Sequence, residues 1–394
     1  MMQKEKEFFL QILADYLNDR VTGAQENLDW SVLESIGEAQ NLTGVIYHQC
    51  KNMIAQSDLP PLVKKKWKMG FVYNSFLYSK RLALLKQVDA AFQKENIPYF
   101  IFKGTEVAKL YPAPAQRTMG DSDLFVHEED MQRACEALGR LGFVVEDNSS
   151  FGCHVSKDKT IIDLQSRLVN VYSTELDDIL TWENKVWEYT VLKNGKAQGQ
   201  LDPTYHLVYV ILHLRKHMII KGVGFRQFMD AAVLASQPEI NWKQAELWLK
   251  ELHLVKFSQI CFAFCRRWFD IKIPAGKLEL SDDFYNEFTE TMLAGGVFGG
   301  NDEKFTGNAV FNEAYFVKSS RIKAFLRQTF LSYKEMCLRP YCKFLNGRPY
   351  LLPVAWCLRL VYGIYAGHLV PLLKGAFDNE TIKEKKERLS KWGL

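Results

Sequence analysis

The sequence predicts an α+β protein, a small mixed sheet embedded in a largely helical chain, and three observations lead there. Residues 1 to about 95 place apolar side chains at helical spacing, residues 98 to about 168 switch to short apolar runs alternating with helix patterns, and helical spacing returns after residue 170. The chain has 394 residues, 47% hydrophobic and 24% charged, so it is long enough to bury sizeable cores and is not of disordered composition.

In chain order, helices are expected over Glu5 to Asn18, Leu33 to Met53 and Pro61 toward Glu95, with Trp67, Val72, Phe76 and Leu82 to Leu85 forming much of the apolar face of the last. Tyr99-Phe100-Ile101-Phe102 reads as a strand, Lys103-Gly104-Thr105 as a turn, and Glu106 to Tyr111 as a helix. A second strand runs from Asp121 to Val126, a helix from Glu128 to Leu141, and a hairpin centres on Lys157-Asp158-Lys159. Asp202-Pro203 is a helix start leading into Tyr205 to Ile220, and Gly222 and Gly224 punctuate the following turn. Helices then cover Phe225 to Ala235, Trp242 to Leu252, Val255 to Phe269 and Asp282 to Leu293 almost without interruption. The glycines from Gly295 to Gly300 mark a linker, which gives four regions: 1–95 helical, 96–170 α/β core, 171–294 helical, 295–394 C-terminal helical. Leu351 to Leu373 is long and apolar, but Arg359, Pro353, Gly363, Gly367 and His368 interrupt it. It reads as a buried helix, or one that touches a membrane surface or partner, rather than as a transmembrane span.

The formal charge of +4 is spread along the chain and gives no strong nucleic-acid signal. Met1 to Asp15 is charged and amphipathic, without the features of a signal peptide. The eight cysteines stand at unrelated spacings in apolar contexts, as expected of reduced thiols in a cytoplasmic protein. Cys261 and Cys265 share a helix face with no second ligand pair, so packing outweighs zinc.

The chemistry concentrates around Gly120-Asp121-Ser122-Asp123. Residues two apart on a strand leave the same face, so Asp121 and Asp123 present paired carboxylates suited to Mg²⁺ or Mn²⁺, hard cations that leave sites open for phosphates. Ser122 superficially resembles a hydrolase serine but points to the opposite face. Upstream, a strand, a glycine turn and a helix start at Lys103-Gly104-Thr105 offer backbone N–H groups to phosphate.

This order of strand, Lys-Gly turn, helix, Arg117 and Gly-Asp-x-Asp strand resembles the polymerase-β-like nucleotidyltransferase superfamily, and within it the bacterial uncharacterised nucleotidyltransferases. The resemblance implies a small mixed-sheet nucleotidyltransferase core and a third carboxylate on a later strand, a place taken by Asp163 in Ile162-Asp163-Leu164-Gln165-Ser166. The family more often has Glu-Leu-His-Trp there, so Gln165 and Ser166 depart from its pattern. It further implies metal ligation by Asp121, Asp123 and Asp163, with Asp163 on the acceptor side, and nucleotide contacts from Lys103, Gly104, Thr105, Arg117 and Gly120; the alternatives are an exposed strand-end lysine at Lys103 and a structural pairing of Arg117 with one of the acids. His206, His213 and His217 share one helix face, where packing is preferred to metal binding. The family's His-x-x-x-His element followed by Arg and Asp is matched by His213, His217, Arg226 and Asp230, expected to support the site from a second layer; Arg226 and Asp230 also suit a helix-surface ion pair. The implied activity moves a nucleoside monophosphate from a nucleoside triphosphate to an unidentified hydroxyl of a small molecule, sugar or protein. The alternatives are a metal-dependent glycosyltransferase and a nucleotide-binding scaffold without turnover.

Overall fold

A computed structural model of the chain describes residues 3–149, 152–168, 176–192, 195–220, 222–276, 278–296, 320–337, 340–345, 347–365 and 378–394. Four helices lead: α1 Gln3–Leu17, α2 Trp30–Gln40, α3 Thr43–Gln56 and α4 Pro61–Glu95. The single helix expected over Leu33 to Met53 is two. Asn41 closes α2 in the left-handed conformation, φ 55°, and the N–H groups of Asn41 and Leu42 donate to the carbonyls of Glu38 and Gly37. Asparagine tolerates that conformation and so ends helices much as glycine does.

On α4 the buried residues are Trp67, Arg81, Leu84, Leu85, Val88 and Phe92. Val72 and Phe76 are 48% and 60% exposed, so the expected apolar face is wrong over the middle of this helix. Its last turns face the sheet, and its middle packs one side against α3 and Gln116 through Phe71, Asn74 and Ser75, leaving Val72 and Phe76 on the outer side.

Seven strands form one mixed sheet: β1 Tyr99–Phe102, β2 Asp121–Val126, β3 Val144–Ser149, β4 Gly152–Lys157, β5 Thr160–Gln165, β6 Thr190–Leu192 and β7 Gln198–Leu201, in the order β3-β4-β5-β2-β1-β7-β6. Strand β2 is antiparallel to β1 and parallel to β5. The expected hairpin joins β4 to β5, with Asp158 and Lys159 both at positive φ, 50° and 66°, as a two-residue turn matched to strand twist requires. Strands β6 and β7 correct the expectation of uninterrupted helix after residue 170. Gln198-Gly199-Gln200-Leu201 has no strand-forming run and is held as a strand by parallel pairing with β1.

Helices α5 Gly104–Ala108 and α6 Met131–Arg140 lie between strands; α7 Leu176–Glu183, α8 Pro203–Ile220, α9 Phe225–Ala235, α10 Trp242–Glu251, α11 Val255–Phe269 and α12 Asp282–Gly295 follow. A turn of 3₁₀ helix, Glu128–Asp130, precedes α6 where one longer helix is expected.

Strand alternation sends side chains into two cores. Tyr99, Ile101, Leu124, Val126, Ile162 and Leu164 pack with α4 and α6. Phe100, Phe102 and Phe125 face the larger helical core, to which α1–α3 and α8–α12 contribute. Cys261 and Cys265 are fully buried there, in keeping with packing.

A third, small core gathers Leu331, Met336, Cys342, Leu345 and Ala355. Beside it the helix Leu352–Tyr365 has Ala355 as its only residue classed as buried, which overturns the expected burial of this segment. The rest of the apolar stretch, 366–373, and the linker from 297 lie outside the described residues. Among the described residues no helix is long and apolar enough to cross a membrane.

Candidate active site

Strands β2 and β5 are parallel neighbours, and their register sets Asp123 opposite Asp163 with Asp121 two residues earlier. All three side chains therefore leave the sheet on the face that carries Phe125, toward the helical core. Each offers a carboxylate oxygen within 4.8 Å of the others, the one such group of potential metal ligands among the described residues. Asp123 is buried, Asp163 intermediate and Asp121 exposed, so the cluster opens to solvent at Asp121. The donor set, all carboxylate oxygen and graded from buried to open, fits Mg²⁺ or Mn²⁺. Ser122, on the opposite face, accepts a hydrogen bond from Arg81 Nη1 at 2.9 Å. Arg81 also donates to the Met119 and Gly120 carbonyls, tying the loop before β2 to α4.

The Lys103-Gly104 turn sits against these acids. Lys103 has φ 54° and ψ −144°, a conformation costing a non-glycine residue about 1–3 kcal/mol. Two contacts fix it. Its N–H donates to His206 Nε2 at 3.0 Å, and its ammonium lies 2.8 Å from Asp123 Oδ1, over the rings of Phe102 and Tyr209. Burial is the largest single influence and opposes the Lys103 charge, but the Asp123 carboxylate and Tyr209 together hold the ammonium above its ordinary range. His206 is buried, and desolvation lowers its pKa to about 4, leaving the neutral imidazole that an acceptor Nε2 requires.

Gly104 also has positive φ, +35°, and a Cβ there would rest 3.5 Å from the Asp121 carbonyl. Glycine is therefore required by backbone conformation, and the added carbon would face β2. Glu106 N–H makes the first intrahelical bond, to the Lys103 carbonyl, so the N–H groups of Gly104 and Thr105 precede the ladder of α5. Thr105 Oγ1 is buried with no hydrogen-bond partner among the described residues. A Cβ on Gly120 would meet nothing within 4 Å, so the approach beside Asp121 is open.

Gln165, the departure from the family pattern, donates through Nε2 to Asp123 Oδ1 at 3.3 Å and to Asp163 Oδ2. His154 on β4 faces Asp163, Nδ1 to Oδ1 3.3 Å. Burial raises the Asp163 pKa to about 6, with His154 opposing and Asp123 adding to the rise. Because that folded pKa exceeds the usual carboxyl value of 3.8, Asp163 favours the folded state fully below pH 3.8, and the contribution is lost as pH rises through about 6. In chelator, Asp163→Asn should gain stability over the parent between pH 4 and 7, by roughly 1–3 kcal/mol. Thermal midpoints across that range check it; a constant difference would contradict it.

Arg117 and Asp230 take places other than those expected. Arg117 forms a buried bidentate pair with Asp230, Nε–Oδ1 and Nη2–Oδ2 both 2.7 Å, and Tyr111 Oη donates to the same carboxylate at 2.7 Å. Arg226 donates to the Thr118 carbonyl at 2.8 Å, so the helix-surface pair expected from the spacing of Arg226 and Asp230 is replaced by two links from α9 to the segment before β2. The guanidinium of Arg117 is thus committed to a carboxylate rather than turned to the open side of the acids.

His213 and His217 approach through their Nε2 atoms at 2.9 Å, and His213 lies 5.8 Å ring to ring from Tyr209. Burial pushes His213 well below the ordinary histidine range. This face of α8 reaches the site through His206 and Tyr209. Arg81, His154, Gln165, His206 and Tyr209 are site neighbours that sequence reasoning did not assign to it. Gln165 left a signal as a break in pattern, and His206 as one of three histidines on one helix face.

Over residues 26–270 the chain matches the family described as uncharacterised nucleotidyltransferase, a span that includes every site residue above, and the protein belongs to that family. No curated protein and no solved structure matched it.

Proposed function

We propose that this protein is a Mg²⁺- or Mn²⁺-dependent nucleotidyltransferase that moves a nucleoside monophosphate from a nucleoside triphosphate to a hydroxyl of a small molecule, sugar or protein. In the reaction the acceptor oxygen bonds to the α-phosphorus, the bond from that phosphorus to the pyrophosphate oxygen breaks, and the hydroxyl proton departs. The reading is carried by the convergence of Asp121, Asp123 and Asp163 from two adjacent parallel strands. Bound there, the cation supplies charge neutralisation and acidifies the acceptor hydroxyl. Asp163, on the strand beside the Asp121–Asp123 pair, is placed to take the acceptor proton. Gly104 and Thr105 offer backbone N–H groups to the phosphates, Thr105 Oγ1 adds an unused hydroxyl, and Gly120 leaves the approach open. Lys103 offsets the charge of Asp123, while His213 and His217 support the wall of α8. Arg117 we assign to holding α9 rather than phosphate. Family membership favours nucleotidyl over glycosyl transfer, and use of a triphosphate suits the expected cytoplasmic setting.

Pyrophosphate release from each of the four triphosphates with Mg²⁺, across candidate acceptors, tests the activity. Asp121→Asn and Asp123→Asn should each lose Mg²⁺-dependent triphosphate binding in calorimetry; in chelator Asp121→Asn should retain the parent's thermal midpoint, whereas Asp123→Asn should lower it because buried Lys103 loses its counter-charge. Undiminished binding in both variants would remove the metal assignment.

A further inference from the structure

We propose that the helix Leu352–Tyr365 is a membrane-surface element that lays its outer face on an anionic phospholipid bilayer. This goes beyond the nucleotidyl-transfer reading and does not depend on it. Val354, Leu358, Val361 and Tyr365 recur at intervals of four, three and four, one stripe of an α-helix, and are 51%, 45%, 64% and 91% exposed. Tyr362 and Cys357 lie on the same side and are also exposed. The stripe carries no charged side chain.

The inner side is occupied. Ala355 belongs to the small core, Trp356 donates to the Leu331 carbonyl at 2.8 Å, and Arg359 is half-buried with its own partners. A helix whose polar and anchoring groups turn inward while its outer face is apolar throughout is the reverse of a water-facing helix. Contiguous exposed apolar patches of this kind mark interaction sites.

The surrounding charge selects the partner. Residues 320–365 hold eight Lys and Arg against the single acid Glu335, whereas the whole chain has 50 basic and 46 acidic residues. Arg321, Lys323, Arg327 and Arg348 are exposed within this segment, next to exposed Ile322, Leu326 and Tyr350. Exposed basic side chains in the same stretch of chain as an apolar, tyrosine-containing face match the headgroup and upper acyl layers of an anionic leaflet. Nucleic acid would use the cations but leave the apolar stripe in water. With Arg359 in its middle and Ala355 and Trp356 anchored on the small core, the helix is suited to lie along the surface rather than to cross the bilayer.

The test is co-sedimentation of the full chain with phosphatidylglycerol-containing vesicles and with vesicles of phosphatidylcholine alone. Binding should require phosphatidylglycerol and weaken with salt. Leu358→Glu with Val361→Glu should reduce it at least tenfold, and Arg348→Gln by roughly fivefold. These positions are exposed, and matched circular dichroism spectra and thermal midpoints will verify folding. An environment-sensitive fluorophore on Cys357 of the otherwise native chain gives a second readout, shifting to apolar emission with anionic vesicles. Absence of that shift, binding unaffected by the glutamates, or a glutamate-sensitive dimer or nucleic-acid complex without vesicle binding would each overturn the proposal.

Discussion

Asp163→Asn is expected to bind a nucleoside triphosphate in Mg²⁺ and to release almost no pyrophosphate. Asp121, Asp123 and the Lys103-Gly104 turn are untouched by the substitution, so much of the nucleotide affinity should remain. Turnover should fall by roughly a hundred- to ten-thousand-fold for loss of a positioned base, and further if a metal site is disturbed. The amide is nearly isosteric with the carboxyl and can still meet Gln165 and His154, so the sheet should hold its register. Single-turnover pyrophosphate release beside calorimetric nucleotide binding separates the two effects. A variant that turned over at the parental rate would make Asp163 a strand residue without a role in the reaction.

Asp230→Ala should be the most destabilising substitution near the site. It leaves Arg117 buried, its guanidinium stripped of two 2.7 Å bonds and Tyr111 of its acceptor. Breaking one side of a buried pair costs about 3–5 kcal/mol, because the remaining charge is left uncompensated. The urea midpoint and thermal midpoint should both drop, whereas Arg117→Met with Asp230→Leu should recover much of the loss by replacing the pair with apolar packing. Were Arg117 a phosphate ligand instead, Arg117→Gln would keep the midpoint and lose nucleotide affinity. Stability and binding measured on that one variant distinguish the roles.

The acids were legible because their information is local. Alternation along Asp121-Ser122-Asp123 fixes the face whatever the strand pairs with, and the Lys-Gly turn sits at a visible junction between apolar strand and helix pattern. Asp163 became a candidate through the family resemblance, and the parallel register of β2 and β5 places it beside Asp123. What escaped was non-local. Arg81 reaches Ser122 across 41 residues of chain and His206 reaches Lys103 across 103. No window of sequence contains either pair. The expected helix-surface pairing of Arg226 with Asp230 failed for a related reason: a four-residue spacing suggests a pair worth tenths of a kcal/mol, but in a buried setting the carboxylate goes to the bidentate partner brought by the fold. Strand β7 was missed because its residues have no strand preference apart from their pairing with β1. The exposed stripe on Leu352–Tyr365 shows the converse limit, since apolar periodicity identifies a helix face without saying whether protein or another phase covers it.

The unusual backbone of Lys103 bears on how separable this chemistry is. The lysine is held in place by an imidazole from α8, and the segment leading into β2 is clamped by two side chains from α9. A sheet excised at residue 170 would keep all three aspartates yet lose the groups that set the turn's shape and anchor its neighbouring loop. The five strands before residue 170, which would also lose β7 from the edge of β1, are thus not a portable module. Grafting this site onto another scaffold would require the sheet and the helical lobe together, and insertions between them are better placed in the hairpin at Asp158 than anywhere along α8 or α9.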